Sequence, residues 1–200
     1  MNIYLVRHGE TDYNKDRLLM GQLDIPLNEL GLSQVKKLSK FVENKNISKI
    51  YSSDLQRASR TAEIISGTNN IPIELILNFR EHTLGRLDGM KWSSEWDELA
   101  KDEFEERILR EGGESFEVFE ERIWGTFVKI TEKHSLEDNI LIVSHGGCIR
   151  MIIMKILEAT EEIFSNLSID NCSITQLIYL PQRKKHKYRI LNINSNWFLE

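Results

Sequence analysis

Two short runs, Ile3-Tyr4-Leu5-Val6 and Ile140-Leu141-Ile142-Val143, are apolar at every position, and each passes through one polar residue into a His-Gly pair. A β-rich run with no polar face reads as a strand buried inside a sheet. The polar residues that follow place His8 and His145 at the carboxyl ends of two such strands, where an open α/β sheet holds its ligand. Gly9 and Gly146 let the backbone come close to whatever binds there. A helix begins soon after His145, so unpaired N–H groups and the positive end of a helix dipole favour an anion beside it.

The rest of the chain supplies helices to cover the sheet. Residues 12–29 read as loop, punctuated by Asp12, Asn14, Asp16, Gly21, Pro26 and Asn28. Asn28 is placed to cap a helix over 30–44 with Leu30, Val35, Leu38, Phe41 and Val42 as its apolar stripe. A second strand is expected over 49–53. Asp54 or Ser53 then caps a helix over 55–66, with Ala58, Ala62 and Ile65 inward and Gly67 as its stop. A third strand spans 71–77. Residues 78–113 break the rhythm with an acidic, Trp-bearing helix expected from Trp92 to Arg110. From Glu114-Ser115 a long helix runs to about His134, with Phe116, Phe119, Ile123, Phe127 and Ile130 at helical spacing. A strand follows over 139–144, then a helix over 148–157, a short helix capped by Thr160, and strands over 173–180 and 187–193. Strands alternating with helices predict an α/β fold: a three-layer α/β/α sandwich with a mostly parallel central sheet. One domain is expected over 1–200, with the insertion at about 82–113 forming a cap over the active end.

Composition removes several function classes. The net charge of −5 gives no broad footprint for nucleic acid or an anionic membrane, and the basic run Arg183 to Lys187 reads as a solvated turn. No apolar run approaches a membrane span. Cys148 and Cys172 read as buried free thiols rather than a disulfide framework. The first strand starts within three residues of Met1, leaving no space for a signal peptide, so a cytoplasmic protein is expected.

Four strand exits carry the chemistry. Arg7 sets a fixed cation beside His8. Arg57, in the first turn after the second strand, offers a guanidinium fork suited to phosphate oxygens, although taken alone it reads as a solvated helix charge. Glu81 stands where a carboxyl can pass a proton to a leaving oxygen; the alternative is a surface pair with Arg80. Two histidines can also hold a metal, but zinc wants three or four ligands, and His82, His134 and His186 lack the spacing. Arg7 would in addition repel a dication, so neither metal nor cofactor is expected. Two histidines, two arginines and one carboxylate suit phosphoryl transfer: arginines and amides hold the non-bridging oxygens while a neutral imidazole attacks phosphorus. The second histidine works best as a cationic donor.

On these residues the chain resembles the histidine phosphatase superfamily, also called phosphoglycerate-mutase-like, over nearly its whole length. The motifs occur in order as Arg7-His8-Gly9-Glu10-Thr11, Asn14, Ser52-Ser53-Asp54-Leu55 before Arg57, Arg80-Glu81, and Ser144-His145-Gly146. The resemblance implies that His8 is the phosphorylated nucleophile and that Arg7, Arg57 and His145 surround the phosphoryl group. It implies that Glu81 is the general acid and later the base. Asn14, Gly21, Gln22 and Gly146 join the phosphate or substrate contacts. Glu81 followed by His82-Thr83-Leu84-Gly85 and His145-Gly146 followed by Gly147 depart from the mutases of this family, while Gly85-Arg86-Leu87-Asp88-Gly89 and Gly112-Gly113-Glu114-Ser115 resemble the phosphatase branch, which includes α-ribazole and broad-specificity phosphatases. The expected function is hydrolysis of a small phosphorylated metabolite through a phosphohistidine. A phosphoglycerate mutase and a non-catalytic phosphate-binding module are the alternatives. The acidic stretch from Glu95 to Glu106 disfavours polyanionic substrates if it covers the pocket. Trp92 or Trp96 either stacks on a flat leaving group or anchors the insertion.

Overall fold

The computed structural model describes residues 1–92 and 101–199. Its centre is a six-stranded sheet in the order β3-β2-β4-β1-β5-β6, built from β1 (Asn2–Arg7), β2 (Lys49–Ser52), β3 (Ile73–Leu75), β4 (Asn139–Ser144), β5 (Ile174–Tyr179) and β6 (Tyr188–Ser195). β1, β2, β3 and β4 run parallel, and β5 and β6 add an antiparallel edge. The expected three-layer, mostly parallel sandwich is therefore the observed one.

Alternation along the central strands sets the layers. Ile3 and Leu5 of β1, with Ile140 and Ile142 of β4, face one apolar cluster built with α5 (Phe116–Thr131) and α6 (Gly146–Leu157). Tyr4, Val6, Leu141 and Val143 face the opposite cluster, built with α2 (Glu29–Val42) and α3 (Gln56–Ser66). The run that is apolar at every position is thus shared between two cores, as burial on both faces requires.

Local differences from the expected elements have identifiable causes. Residues 12–29 contain one helical turn, α1 (Asp12–Lys15), because Thr11 and Asn14 form a reciprocal capping box. Asn28 does cap α2, accepting from Gly31 N at 2.8 Å. Leu30, however, is 53% exposed, since Gly31 takes the inward place in that turn. A Cβ on Gly31 would stand 2.1 Å from Glu10 O, so only glycine lets α2 press against the loop after β1. Neither Asp54 nor Ser53 is the N-cap residue of α3, a place taken by Leu55. Asp24 reaches in from another loop and accepts from Gln56 N at 2.7 Å. Asp54 is instead paired with Arg80.

The segment after β3 folds back on the loop after α1. Leu19 N donates to Met90 O, Gly89 N to Leu19 O and Trp92 N to Arg17 O, making a short ribbon. Trp92 belongs to this ribbon rather than to a helix and stands edge-on to Phe104, 6.3 Å between ring centres, as an anchor would. A helix, α4, is present over Lys101–Arg110. The expected helix residues 93–100, with Glu95, Trp96, Asp97 and Glu98, lie outside the described residues. Thr160 does not cap the next short helix, α7 (Glu162–Asn166), whose N-cap is Glu161. Cys148 and Cys172 are buried free thiols, and no helix among the described residues is long and apolar enough to cross a membrane.

Candidate active site

β1 and β4 pair in register as far as Arg7 opposite Ser144, so His8 and His145 leave the sheet side by side. Their ring centres are 5.2 Å apart. His8 Nδ1 lies 2.7 Å from Gly9 O. A carbonyl only accepts, so Nδ1 carries the proton and Nε2 keeps a free lone pair. Burial, then the charges of Arg57 and Arg7, hold the His8 pKa well below the usual histidine value. The loop is fixed from behind: Gly9 N donates to Thr61 Oγ1, and a Cβ on Gly9 would stand 2.8 Å from both Gly31 O and Val35.

Arg57, which alone reads as a solvated helix charge, is fully buried. Its Nε donates to His145 Nδ1 at 3.2 Å, Nη1 to Leu23 O at 2.6 Å and Nη2 to Gly21 O at 2.8 Å. Burial lowers its pKa to about 10, still well above neutrality. Because a guanidinium only donates, His145 Nδ1 is an acceptor, and Nε2–H donates to Ser53 Oγ at 2.9 Å. His145 is therefore neutral rather than the expected cation, with its pKa pushed well down by burial, Arg57, His8 and Arg7.

Glu81 reaches across to the second His-Gly exit. Its Oε2 accepts from Gly147 N and its Oε1 from His82 N, each at 3.0 Å. It makes no pair with Arg80. Its backbone is held by Arg122, a residue the sequence reading passed over. Arg122 donates to the carbonyls of Asn78, Arg80 and Glu81 at 2.9, 2.7 and 2.9 Å and pairs with Glu114. The available signal was position: Arg122 follows Phe119 by one turn on the inward side of α5, and its guanidinium lies 4.9 Å over that ring.

Asn14 faces the site with its amide fixed. Oδ1 accepts from Thr11 N, Thr11 Oγ1 and Asn171 Nδ2, and Asn171 also donates to His8 O. Gly21 and Gln22 meet the site as braces: Gly21 O takes Arg57, while Gln22 Nε2 donates to Glu81 O at 3.1 Å. Gln22 N points to Asp88, a half-buried carboxyl whose pKa burial raises to about 6. Arg7 donates through Nη1 to Ile169 O, and its buried Nε has no partner. Arg150, also missed, stands four residues after Gly146 on the same helical face and donates to Gly146 O. His82 is turned away from this cluster, stacked on Phe119 and bonded to Glu114 O at 2.8 Å.

The arrangement is two neutral imidazoles between guanidinium groups, with one carboxylate at a helix N-terminus. Among the described residues no cluster of three His, Cys, Asp or Glu is placed to hold a metal. Donors of this kind suit an oxyanion whose charge grows during reaction.

The chain is similar to known proteins over most of its length. It is 30% identical over 200 residues to "Uncharacterized phosphatase PhoE" of Bacillus subtilis, covering 97% of this chain and 95% of that one. It is 34% identical over 168 residues to a "Metal-independent phosphoserine phosphatase" of Arabidopsis thaliana, covering 80% and 70%. It is 32% identical over 186 residues to a "Probable phosphoglycerate mutase GpmB" of Salmonella paratyphi A, covering 90% and 85%. In fold it matches the phosphoserine phosphatase of Entamoeba histolytica solved with 3-phosphoglyceric acid, with TM-score 0.85, 24% identity and coverage of 100% and 99%. It also matches a putative α-ribazole-5'-P phosphatase of Escherichia coli, with TM-score 0.81, 23% identity and coverage of 98% and 98%. The family model for branch 1 of the histidine phosphatase superfamily matches residues 3–193, and the chain belongs to that superfamily.

Proposed function

We propose that this chain is a metal-independent phosphatase that hydrolyses a small phosphomonoester through a phosphohistidine at His8. The observation that carries the reading is the state of His8: its Nδ1–H is held by Gly9 O, its imidazole is kept neutral, and Nε2 is left as a nucleophile beside Arg7 and Arg57. In the first step Nε2 bonds to phosphorus, the bond to the ester oxygen breaks, and Glu81 gives that oxygen a proton. In the second, Glu81 takes a proton from water, the oxygen of water bonds to phosphorus, and the N–P bond breaks. Arg7, Arg57 and Asn14 hold the non-bridging oxygens, His145 orients Arg57 by accepting its Nε–H, and the guanidinium charge offsets the charge that develops. Gly21 and Gln22 act through Arg57 and Glu81, and Gly146 leaves room beside Arg7.

The segment 82–113 serves as a cap in this reading, and a reducing, cytoplasmic setting suits the two buried thiols. A mutase is the second reading, favoured by the similarity to the Salmonella protein. Hydrolysis is preferred because Gly147 stands where mutases of this family typically carry Asn, and because Gly112-Gly113-Glu114-Ser115 resembles the phosphatase branch. Incubation with 3-phosphoglycerate decides between them. Release of inorganic phosphate without 2-phosphoglycerate is expected, and isomerisation without release would reverse the assignment. Activity on p-nitrophenyl phosphate is expected to survive EDTA.

A further inference from the structure

We propose that Arg150 and the opening beside Gly146 form a second anion point in this site, which takes a carboxylate carried by the phosphomonoester substrate. The proposal rests on the phosphoryl site assigned above and names the class of substrate it serves.

Arg150 is one of the arginines at this site that make no ion pair among the described residues. Arg60, Arg80, Arg86 and Arg122 each pair with a carboxylate. Arg7, Arg57 and Arg150 have no carboxylate in ion-pair distance among the described residues. Two of these three point at one spot: a Cβ on Gly146 would stand 3.5 Å from Arg150 Nη2 and 3.6 Å from Arg7 Nε. Glycine at 146 therefore leaves a space bounded by two guanidinium groups. Like charges held this close, with Arg7 Nε buried and lacking any partner, are poorly compensated until an anion lies between them.

Arg150 is also held in one orientation. Its Nε donates to Gly146 O at 3.3 Å and its Nη1 to Phe164 O at 3.4 Å, and its guanidinium lies 4.8 Å over the Phe164 ring. Nη2 has no partner among the described residues. A fixed guanidinium with Nη2 free can donate a charge-assisted bond to a carboxylate oxygen. The charge count agrees: Arg7 and Arg57 face the phosphoryl dianion, and Arg150 supplies one further charge, enough for a monoanion. An ester with the phosphoryl group and a carboxylate on a short carbon chain presents both groups at once.

The test compares O-phosphoserine with O-phosphoethanolamine, which keeps the amine and phosphate and lacks only the carboxylate. Binding is measured on His8→Ala protein, which cannot turn over, with and without Arg150→Met or Arg150→Lys. A charge-assisted bond of this kind is expected to give phosphoserine a preference of about 10- to 100-fold. Arg150→Met is expected to reduce that preference to within about 3-fold, and Arg150→Lys to restore part of it. In protein with His8 intact, Arg150→Met is expected to raise KM for phosphoserine well beyond any change in KM for O-phosphoethanolamine. The proposal is overturned if the parent shows no preference, if the preference survives Arg150→Met, if both esters weaken alike, or if neither binds. Should Arg150→Met fail to fold, Arg150→Lys alone decides: a preference unchanged in that variant also overturns it. An Arg150-dependent preference in a protein that releases no phosphate from any ester would sink the hydrolytic reading and leave the subsite standing.

Discussion

Glu81 Oε2 accepts from Gly147 N at 3.0 Å, and the absence of a side chain at 147 is what allows the approach. The carboxylate is thereby tied to the first turn of α6, whose preceding residue is His145. Gly147→Ala is expected to displace Glu81 while leaving His8 in place. Activity on phosphoserine, whose alkoxide needs a proton, should fall about 10- to 100-fold, and activity on p-nitrophenyl phosphate only a few-fold. Equal losses on the two esters would remove Glu81 from the role of acid.

Arg122 and Glu114 form a pair whose side chains are 17% and 12% exposed, and Arg122 carries three carbonyls of the chain that leads to Glu81. Removing one partner strands the other charge. Arg122→Met is expected to cost about 3–5 kcal/mol of stability, read as a lowered denaturant midpoint. Adding Glu114→Gln should return part of it. No recovery in the double variant would mean that the carbonyl contacts, rather than the stranded charge, dominate.

His8 and His145 are both buried, and both have pKa values depressed well below the ordinary histidine value in the folded protein. Below about pH 6.5 the unfolded chain takes up these protons while the folded protein does not, so stability falls as pH drops. The slope expected is about 1.4 kcal/mol per pH unit for each histidine, until the folded values are reached. Nitrogen chemical shifts at pH 5.5 should show both rings neutral, with the proton on Nδ1 of His8 and on Nε2 of His145. Titration of either ring near pH 6.5 would contradict this.

Asp88 has the opposite sign. Its folded pKa, about 6, lies above that of an ordinary aspartate, so its favourable contribution is present in acid and is lost as pH rises through about 6. Asp88→Asn should therefore raise the melting temperature relative to the parent at pH 8 and make little difference below about pH 4, where Asp88 is protonated in both states. A gap that is constant across this range would show that Asp88 does not titrate there.

The layout was legible where it depends on local pattern. Two all-apolar strands running into His-Gly, and the 3.6-residue stripes of α3 and α5, fix the sheet, its covering helices and the exits that carry His8, Arg57, Glu81 and His145. What was not legible depends on contacts distant in sequence. Arg57 lies in a first turn where a charge normally meets water, and only the return of Gly21 and Leu23 over it makes it buried. Asp54 has the right type and place to cap α3, yet Arg80 claims it and Asp24 does the capping. Leu30 fits the stripe of α2 but yields the inward place to Gly31, because the backbone of Glu10 fills the space. His145 follows the same rule. A histidine near phosphate suggests a cation, and the Arg57 N–H aimed at its Nδ1 makes it neutral.

Covalent capture of the phosphoryl group tests the central claim most directly. Protein mixed with phosphate-labelled p-nitrophenyl phosphate and quenched within a turnover is expected to carry acid-labile, alkali-stable label on the peptide containing His8, and His8→Ala protein is expected to carry none. Label on another residue, label that persists in His8→Ala protein, or steady release of phosphate with no labelled protein at any time would contradict a phosphohistidine mechanism at His8.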